Sequence, residues 1–162
     1  SYKPDVLGLQ ECSPRSRSTN IVSVLDRYGY THTEIHLNEW NPGIHRRGTL
    51  ADAAAIATMI VAMQNAPVDL LMYYDASLES SYGGLFNPLT RVPFKAYYAM
   101  WAFNRLYQLG YQYPLAHAAE GGILSSGVYG LAAGNGTDKQ AILVVNGTSV
   151  LGQAMIHSLN SA

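Results

Sequence analysis

Charge is what this sequence has least of. Only 13% of its 162 residues are Asp, Glu, Lys or Arg, about half the share usual in globular domains. Ten basic and eleven acidic residues nearly cancel, leaving a formal net charge of -1. Without a basic excess to hold polyanions, neither nucleic acid nor a membrane surface is expected as a partner. Cysteine is almost absent. With Cys12 alone, an internal disulfide framework and a cysteine-based zinc site are both excluded. Long apolar runs are missing too. The most apolar stretch, Leu50 to Met63, contains Asp52 and Thr58 and falls short of the ~20 apolar residues of a membrane span. No stretch reads as a secretion signal.

What is present is apolar and aromatic. Hydrophobic residues make up 48%, with 12 Tyr and 15 Gly, a composition that excludes disorder, coiled coil and collagen. Low charge beside this content implies a surface meant to be covered by more protein.

Three short apolar runs recur: Val6 to Leu9, Ile35 to Leu37, and Leu70 to Tyr73. Their starts lie about 30 residues apart, one βαβ step. Helical patterns alternate with them. Ile21, Val24, Leu25 and Tyr28 repeat at helix spacing over Asn20 to Tyr28 and meet Gly29, a C-cap signal. Thr49-x-x-Asp52 opens a second helix that runs to Gln64, before Pro67. Pro93 opens a third, which runs to Leu109 with Gly110 behind it. Strand-helix alternation predicts an α/β fold with parallel strands. A doubly wound sheet and a (β/α)₈ TIM barrel compete. No Gly-rich phosphate loop follows any strand, which favours the barrel.

After Gly110 the pattern changes. Val128 to Ala133 and Gln140 to Val145 predict two strands of a hairpin around Gly134 to Asp138, where Gly and Asn supply positive φ angles. Gly152 to His157 predicts one more strand. The expected organisation is a partial barrel over residues 1–111 and a small, incomplete antiparallel β-domain over 112–162. About 110 residues suffice for three strand-helix units, whereas a barrel takes ~250 residues. The chain therefore reads as the C-terminal part of a larger protein, or one piece of a split one. Open strand edges then predict association with the missing part of the barrel or self-association.

The most informative segment runs from Glu34 to Pro42 and holds Asn38-Glu39-Trp40-Asn41. A carboxylate at the mouth of a strand, beside an indole and amides, suits sugar chemistry: it attacks an anomeric carbon while the ring stacks on the sugar face. The competing reading is a strand-end Glu39 paired with Arg46 or Arg47. Strict alternation puts Glu39 on the face of Ile35 and Leu37, with Glu34, His36 and Asn38 toward the helices; a bulge before Glu39 reverses this.

This segment resembles the seventh-strand nucleophile motif of clan A glycoside hydrolases, family 39 above all (β-xylosidase and α-L-iduronidase relatives). There the strand ends in Thr-Glu-Trp; here it ends in Asn38-Glu39-Trp40. Tyr73-Tyr74-Asp75 resembles the eighth-strand end, and Tyr82-Gly83-Gly84-Leu85-Phe86 the glycine-rich loop after it. Pro93 to Met100 resembles the Lys-Pro-x-Tyr-x-Ala opening of the last helix in altered form, and Val128 to Asn146 the accessory β-domain. The resemblance covers nearly the whole chain. It implies that Val6 to Leu9 is the sixth strand, with Gln10-Glu11 at its end in place of the usual His and aromatic.

The resemblance implies a glycosidase of carbohydrate metabolism, cleaving a β-linked oligosaccharide or glycoside with no cofactor. Glu39 is then the nucleophile. Trp40, Asn38, Tyr74, Asp75 and Glu11 are the candidate substrate contacts. The acid/base carboxyl, on the fourth strand of relatives, stands outside this chain, so the chain alone is expected to be inactive. The alternative is a non-catalytic carbohydrate-binding or structural module derived from a hydrolase barrel.

Other residues read more plainly. His36 suits a hydrogen-bonded structural role, and His32, His45, His117 and His157 show no metal-ligand spacing. Tyr73 suits core and cleft equally, and Trp40 suits the cleft. Tyr97, Tyr98, Trp101, Phe103 and Tyr107 suit a core or an interface on the last helix. Arg46 and Arg47 suit surface ion pairs. Asn135-Gly136-Thr137 and Asn146-Gly147-Thr148 match the glycosylation sequon, and both also suit β-turns.

Overall fold

A computed structural model describes residues 14–80, 84–115, 123–125 and 127–148. The expected strands at Val6–Leu9 and Gly152–His157, and the candidate residues Glu11 and Tyr82, lie outside them. Three helices, a two-stranded parallel sheet and an antiparallel sheet make a mixed α/β fold, with no closed barrel among the described residues.

Helix α1 (Pro14–Arg27) begins earlier than its apolar spacing suggests. It stops where glycine permits: Gly29 takes φ 84°, the Gly29 N–H donates to Asp26 O, and Tyr30 N–H donates to Leu25 O, each at 3.0 Å. This is a Schellman end, which a Cβ at Gly29 would strain. Of the apolar stripe only Leu25 is half-buried; Ile21, Val24 and Tyr28 are exposed.

The next three elements form one βαβ unit: β1 (His36–Trp40), α2 (Leu50–Met63) and β2 (Leu70–Tyr73). The strands pair in parallel. Thr49 caps α2, its Oγ1 accepting from Asp52 N–H at 3.1 Å, an interaction worth about 1 kcal/mol. Helix α2 is buried nearly all round because almost nothing in it is polar. Ile56, Met59, Ile60 and Met63 pack toward the parallel sheet, whereas Ala57 and Val61 pack toward the antiparallel one. Ile56 is 0% exposed, a burial worth about 1.5–3 kcal/mol.

Helix α3 (Lys95–Tyr107) starts later than expected. Pro93 precedes it in an extended bridge opposite Phe86, and Phe94 N–H donates to Leu85 O at 2.8 Å. Ala96, Tyr97, Met100 and Phe103 face the same core as α2. The five aromatics of α3, expected in a core or an interface, divide: Tyr97 and Phe103 join the core. Tyr98, Trp101 and Tyr107 are exposed, because the helix spends its buried face on Ala96, Ala99, Met100, Phe103 and Leu106.

The tail holds β3 (Tyr111–Tyr113), β4 (Ile123–Ser125), β5 (Val128–Gly134) and β6 (Gln140–Asn146). Strand β5 lies at the centre, β6 runs along one edge, and the short β3 and β4 share the other, so the sheet is three strands across. Tyr129, Leu131 and Ala133 alternate onto the helix side, opposite Val145, Leu143 and Ala141 of β6. In the hairpin link only Gly136 has a left-handed φ. Asn135 acts through its side chain instead: Oδ1 accepts from the N–H groups of Thr137, Asp138 and Lys139. The described elements thus stack as parallel sheet, helices α2 and α3, then antiparallel sheet.

Candidate functional site: the carboxyl ends of the parallel strands

The register of β1 against β2 slips once. His36 pairs with Leu70 and Leu37 with Leu71, but the next partners are Trp40 and Tyr73. Three residues on β1 face two on β2, so Asn38 and Glu39 form a bulge. Both flanking apolar residues, Leu37 and Trp40, then turn to the helices, and both polar ones stay exposed. Of the two expected arrangements, strict alternation or a bulge before Glu39, the bulge is the one found. Glu39 lies off the Leu37 face, while His36 and Asn38 are exposed rather than turned to the helix layer. On β2, Leu71 and Tyr73 pack on the helix core and Leu70 and Met72 are exposed, as is Tyr74 just past the strand. The side of the sheet away from the helices therefore carries Asn38, Glu39, Leu70, Met72 and Tyr74.

The two strand ends are tied together. Tyr74 N–H donates to Trp40 O at 2.9 Å. Asn41 then turns the chain: its Oδ1 accepts from Gly43 N–H at 2.9 Å, and its Nδ2 donates to Tyr74 O at 2.8 Å. Burial of Asn41 makes these bonds expensive to lose. The Tyr74–Asp75 peptide that follows is cis.

Beneath the ends lies a buried polar cluster around Tyr73. Its ring meets Trp40 edge to face, centroids 5.2 Å apart. Burial first, and then the carboxylates of Asp52 and Asp75, hold the Tyr73 hydroxyl well above the usual phenol range, with Arg47 opposing. Asp52, 3% exposed at the start of α2, accepts from Gly48 N–H at 3.2 Å. Burial pushes its carboxyl up, against the Gly48 bond and the charges of Arg46 and Arg47. Trp40 Nε1, Arg47 Nε and Asp75 Oδ1 are buried without a hydrogen-bond partner among the described residues. Two donors and an acceptor left open in one cluster suit ordered water or hydroxyl groups.

The expected site residues separate into two groups. Asn38, Glu39 and Tyr74 are exposed and Asp75 is half-buried. Trp40 is not a cleft platform: it is 8% exposed and belongs to the core with Ile56, Met59 and Leu85. The bulge explains this, since the extra residue rotates the indole inward. The Glu39 side chain makes no hydrogen bond or ion pair among the described residues, so the expected alternative of an Arg46 or Arg47 partner is corrected. Arg47 is spent on main-chain carbonyls instead. His36 Nε2 lies 2.9 Å from Glu34 Oε2, and no group of three metal-ligating side chains occurs among the described residues.

Sequence reasoning named Asn41, Arg47 and Asp52 without their roles here: Asn41 stood among the amides of the sugar segment, Arg47 as a surface ion pair and Asp52 in the cap of α2. Asn41-Pro42-Gly43 carried a readable signal, since Asn before Pro-Gly favours a turn closed by its own side chain. Nothing local marks Arg47, whose partners lie 33 and 39 positions away.

An exposed carboxylate at the carboxyl end of a parallel strand can attack an electrophilic carbon, hold a hydroxyl, or bind a cation. Asn38 and Tyr74 add an amide and a phenol to the same exposed side. No protein-family model, curated protein or solved structure matches this chain, so its resemblance to family 39 is carried by the short motifs and their order alone.

Proposed function

We propose that this chain is the C-terminal part of a retaining glycoside hydrolase acting on β-linked glycosides, with Glu39 as nucleophile. The observation that carries the reading is the β1 bulge, which takes Glu39 off the helix-covered face at a parallel strand's carboxyl end. Catalytic groups of (β/α)₈ barrels come from that position. Both α2 and α3 pack on one face of the sheet, as in a barrel segment; a doubly wound sheet carries helices on both. Leu70 and Met72 are exposed on the other face, although parallel sheets are ordinarily buried on both. Further strands would cover that face and close the barrel.

In the proposed reaction a Glu39 carboxylate oxygen attacks the anomeric carbon, and the bond to the leaving oxygen breaks as a second carboxyl delivers a proton. Water then attacks the glycosyl-enzyme ester, giving that carboxyl its proton and releasing Glu39. The two carboxyls must stand ~5–5.5 Å apart. Asp75 is not assigned the proton-donor role, because its Oδ1 is buried. The donor would come from a strand outside this chain, and residues 1–162 alone are expected to be inactive. Asn38 and Tyr74 would contact sugar hydroxyls and Trp40 would support the strand end from below.

Nucleophile replacement tests this in the polypeptide that carries the remaining strands. Glu39→Ala should abolish cleavage of aryl β-glycosides, and azide should restore it by taking the vacated position and leaving as the α-glycosyl azide. Full activity in Glu39→Ala would end the assignment. A second reading, a carbohydrate-binding module without turnover, needs only the exposed polar side chains at these strand ends, Asn38, Glu39 and Tyr74. Saturable sugar binding without hydrolysis in the complete polypeptide would select it.

A further inference from the structure

Two loops leave the carboxyl side of the parallel sheet: one joins β1 to α2, the other joins β2 to α3. The second carries Tyr74 and Asp75. It is long, and a long loop needs something to fix it. Arg47, in the first loop, reaches across. Its Nη2 donates to Ser80 O at 2.5 Å and to Phe86 O at 3.3 Å. The guanidinium also lies over the Phe94 ring, 5.4 Å from the centroid. Ser80, Phe86 and Phe94 stand at three separate points of the second loop, so one side chain gathers them all.

The surroundings are shaped to this side chain. A Cβ on Gly84 would come within 3.2 Å of Arg47 Nη2 and 3.1 Å of Ser80 O, so the loop backbone presses against the guanidinium. A Cβ on Gly48 would meet the Phe94 ring at 3.1 Å, so the other side of the sandwich is equally close. A planar fork with several donors serves such a junction; an ammonium has the charge without the fork.

We propose that Arg47 is a positioning residue that fixes the β2–α3 loop, and with it Tyr74 and Asp75, relative to Glu39. Its value to catalysis rests on the hydrolase reading, but the positioning itself does not. It differs from a general stabilising role in one respect: its loss should loosen the loop and leave the helices and the antiparallel sheet as they were.

Hydrogen exchange on the full chain tests it without any substrate. Peptides from 74–80 and 84–94 report the loop; peptides from α2 and β5 report the core. In Arg47→Met the loop peptides should exchange at least about tenfold faster, the core peptides unchanged. Arg47→Lys should recover part of that protection, because an ammonium still donates to one carbonyl. Unchanged loop exchange in Arg47→Met overturns the proposal, as does an equal acceleration in loop and core. If Arg47→Met does not fold, Arg47→Lys decides alone: faster exchange confined to the loop supports the proposal, and wild-type exchange refutes it. Failure of Glu39 as nucleophile would leave these results untouched, so the two ideas fall separately.

Discussion

Asn41 Nδ2 donates to the carbonyl oxygen of Tyr74 at 2.8 Å, joining the ends of two neighbouring parallel strands across 33 positions of sequence. The same amide closes its own turn through Gly43 N–H. One buried side chain thereby sets both the exit of β1, where Glu39 stands, and the exit of β2, where Asp75 follows.

Replacing that amide should be costly. Asn41→Ala leaves Tyr74 O and Gly43 N–H without their partner, and a loss of about 1–3 kcal/mol is expected. Asn41→Asp should be no better: it keeps an acceptor for Gly43 but sets a carboxylate against the Tyr74 carbonyl. Urea unfolding checks both, and wild-type stability in Asn41→Asp would show that the Tyr74 bond contributes nothing.

Trp40 separates a packing role from a polar one. Its ring fills the core against Tyr73, yet its Nε1 is buried without a partner among the described residues. Trp40→Ala should cost about 3–5 kcal/mol by leaving a cavity. Trp40→Phe forfeits no hydrogen bond and should cost less than half of that. Equal losses in the two variants would mean that the indole N–H is satisfied in solution.

The parallel sheet was legible in the sequence because its apolar runs are short, bounded and spaced like βαβ steps. The cap on α2 was legible for the same local reason, as Thr49 and Asp52 bond each other. What could not be read was the choice between strict alternation and a bulge before Glu39. It depends on a pairing between strands 34 residues apart, and that pairing decides which of Glu39 and Trp40 faces the helices. The cleft position expected for Trp40 failed on that point. The aromatic stripe of α3 could not be divided between core and interface either: Tyr98 and Trp101 repeat at the same spacing as the buried residues, and Trp101 is exposed under Arg105.

Asp52 should make stability fall as pH rises through the acid range. Its carboxyl in the folded chain titrates above the ordinary value because burial outweighs the Gly48 bond and the two arginines. Between the unfolded and the raised folded value, the native state keeps a proton that the unfolded chain has released, so stability declines across that window and is level above it. Asp52→Asn still offers Gly48 an acceptor and removes the titration. The unfolding free energy of the variant relative to wild type should therefore grow with pH across the window, and a difference independent of pH would contradict this.

Asp138 should act with the opposite sign. Side-chain bonds from Asn135 and Thr137 hold its carboxyl below the usual range. The stability this adds is present above the unfolded value and lost as pH falls through the folded one. Asn135→Ala should lower hairpin stability near neutrality and reduce the acid-dependent part. NMR titration of Asp138 in both proteins measures it directly.

Leu70 and Met72 stand exposed on the side of the parallel sheet away from α2 and α3. Residues 1–162 in isolation should self-associate through that side, and Leu70→Lys with Met72→Lys should shift the population toward monomer in size-exclusion chromatography. A wild-type monomer at all concentrations would count against a face built to be covered.

The most direct test is covalent capture. The polypeptide that joins this chain to the rest of the proposed barrel is incubated with an activated 2-deoxy-2-fluoro-β-glycoside, digested, and mapped by mass spectrometry. One fluoroglycosyl group per molecule on the Glu39 side chain, absent in Glu39→Gln, is the predicted result. Turnover of the parent glycoside with Glu39 unlabelled, or the label on another carboxylate, would contradict it.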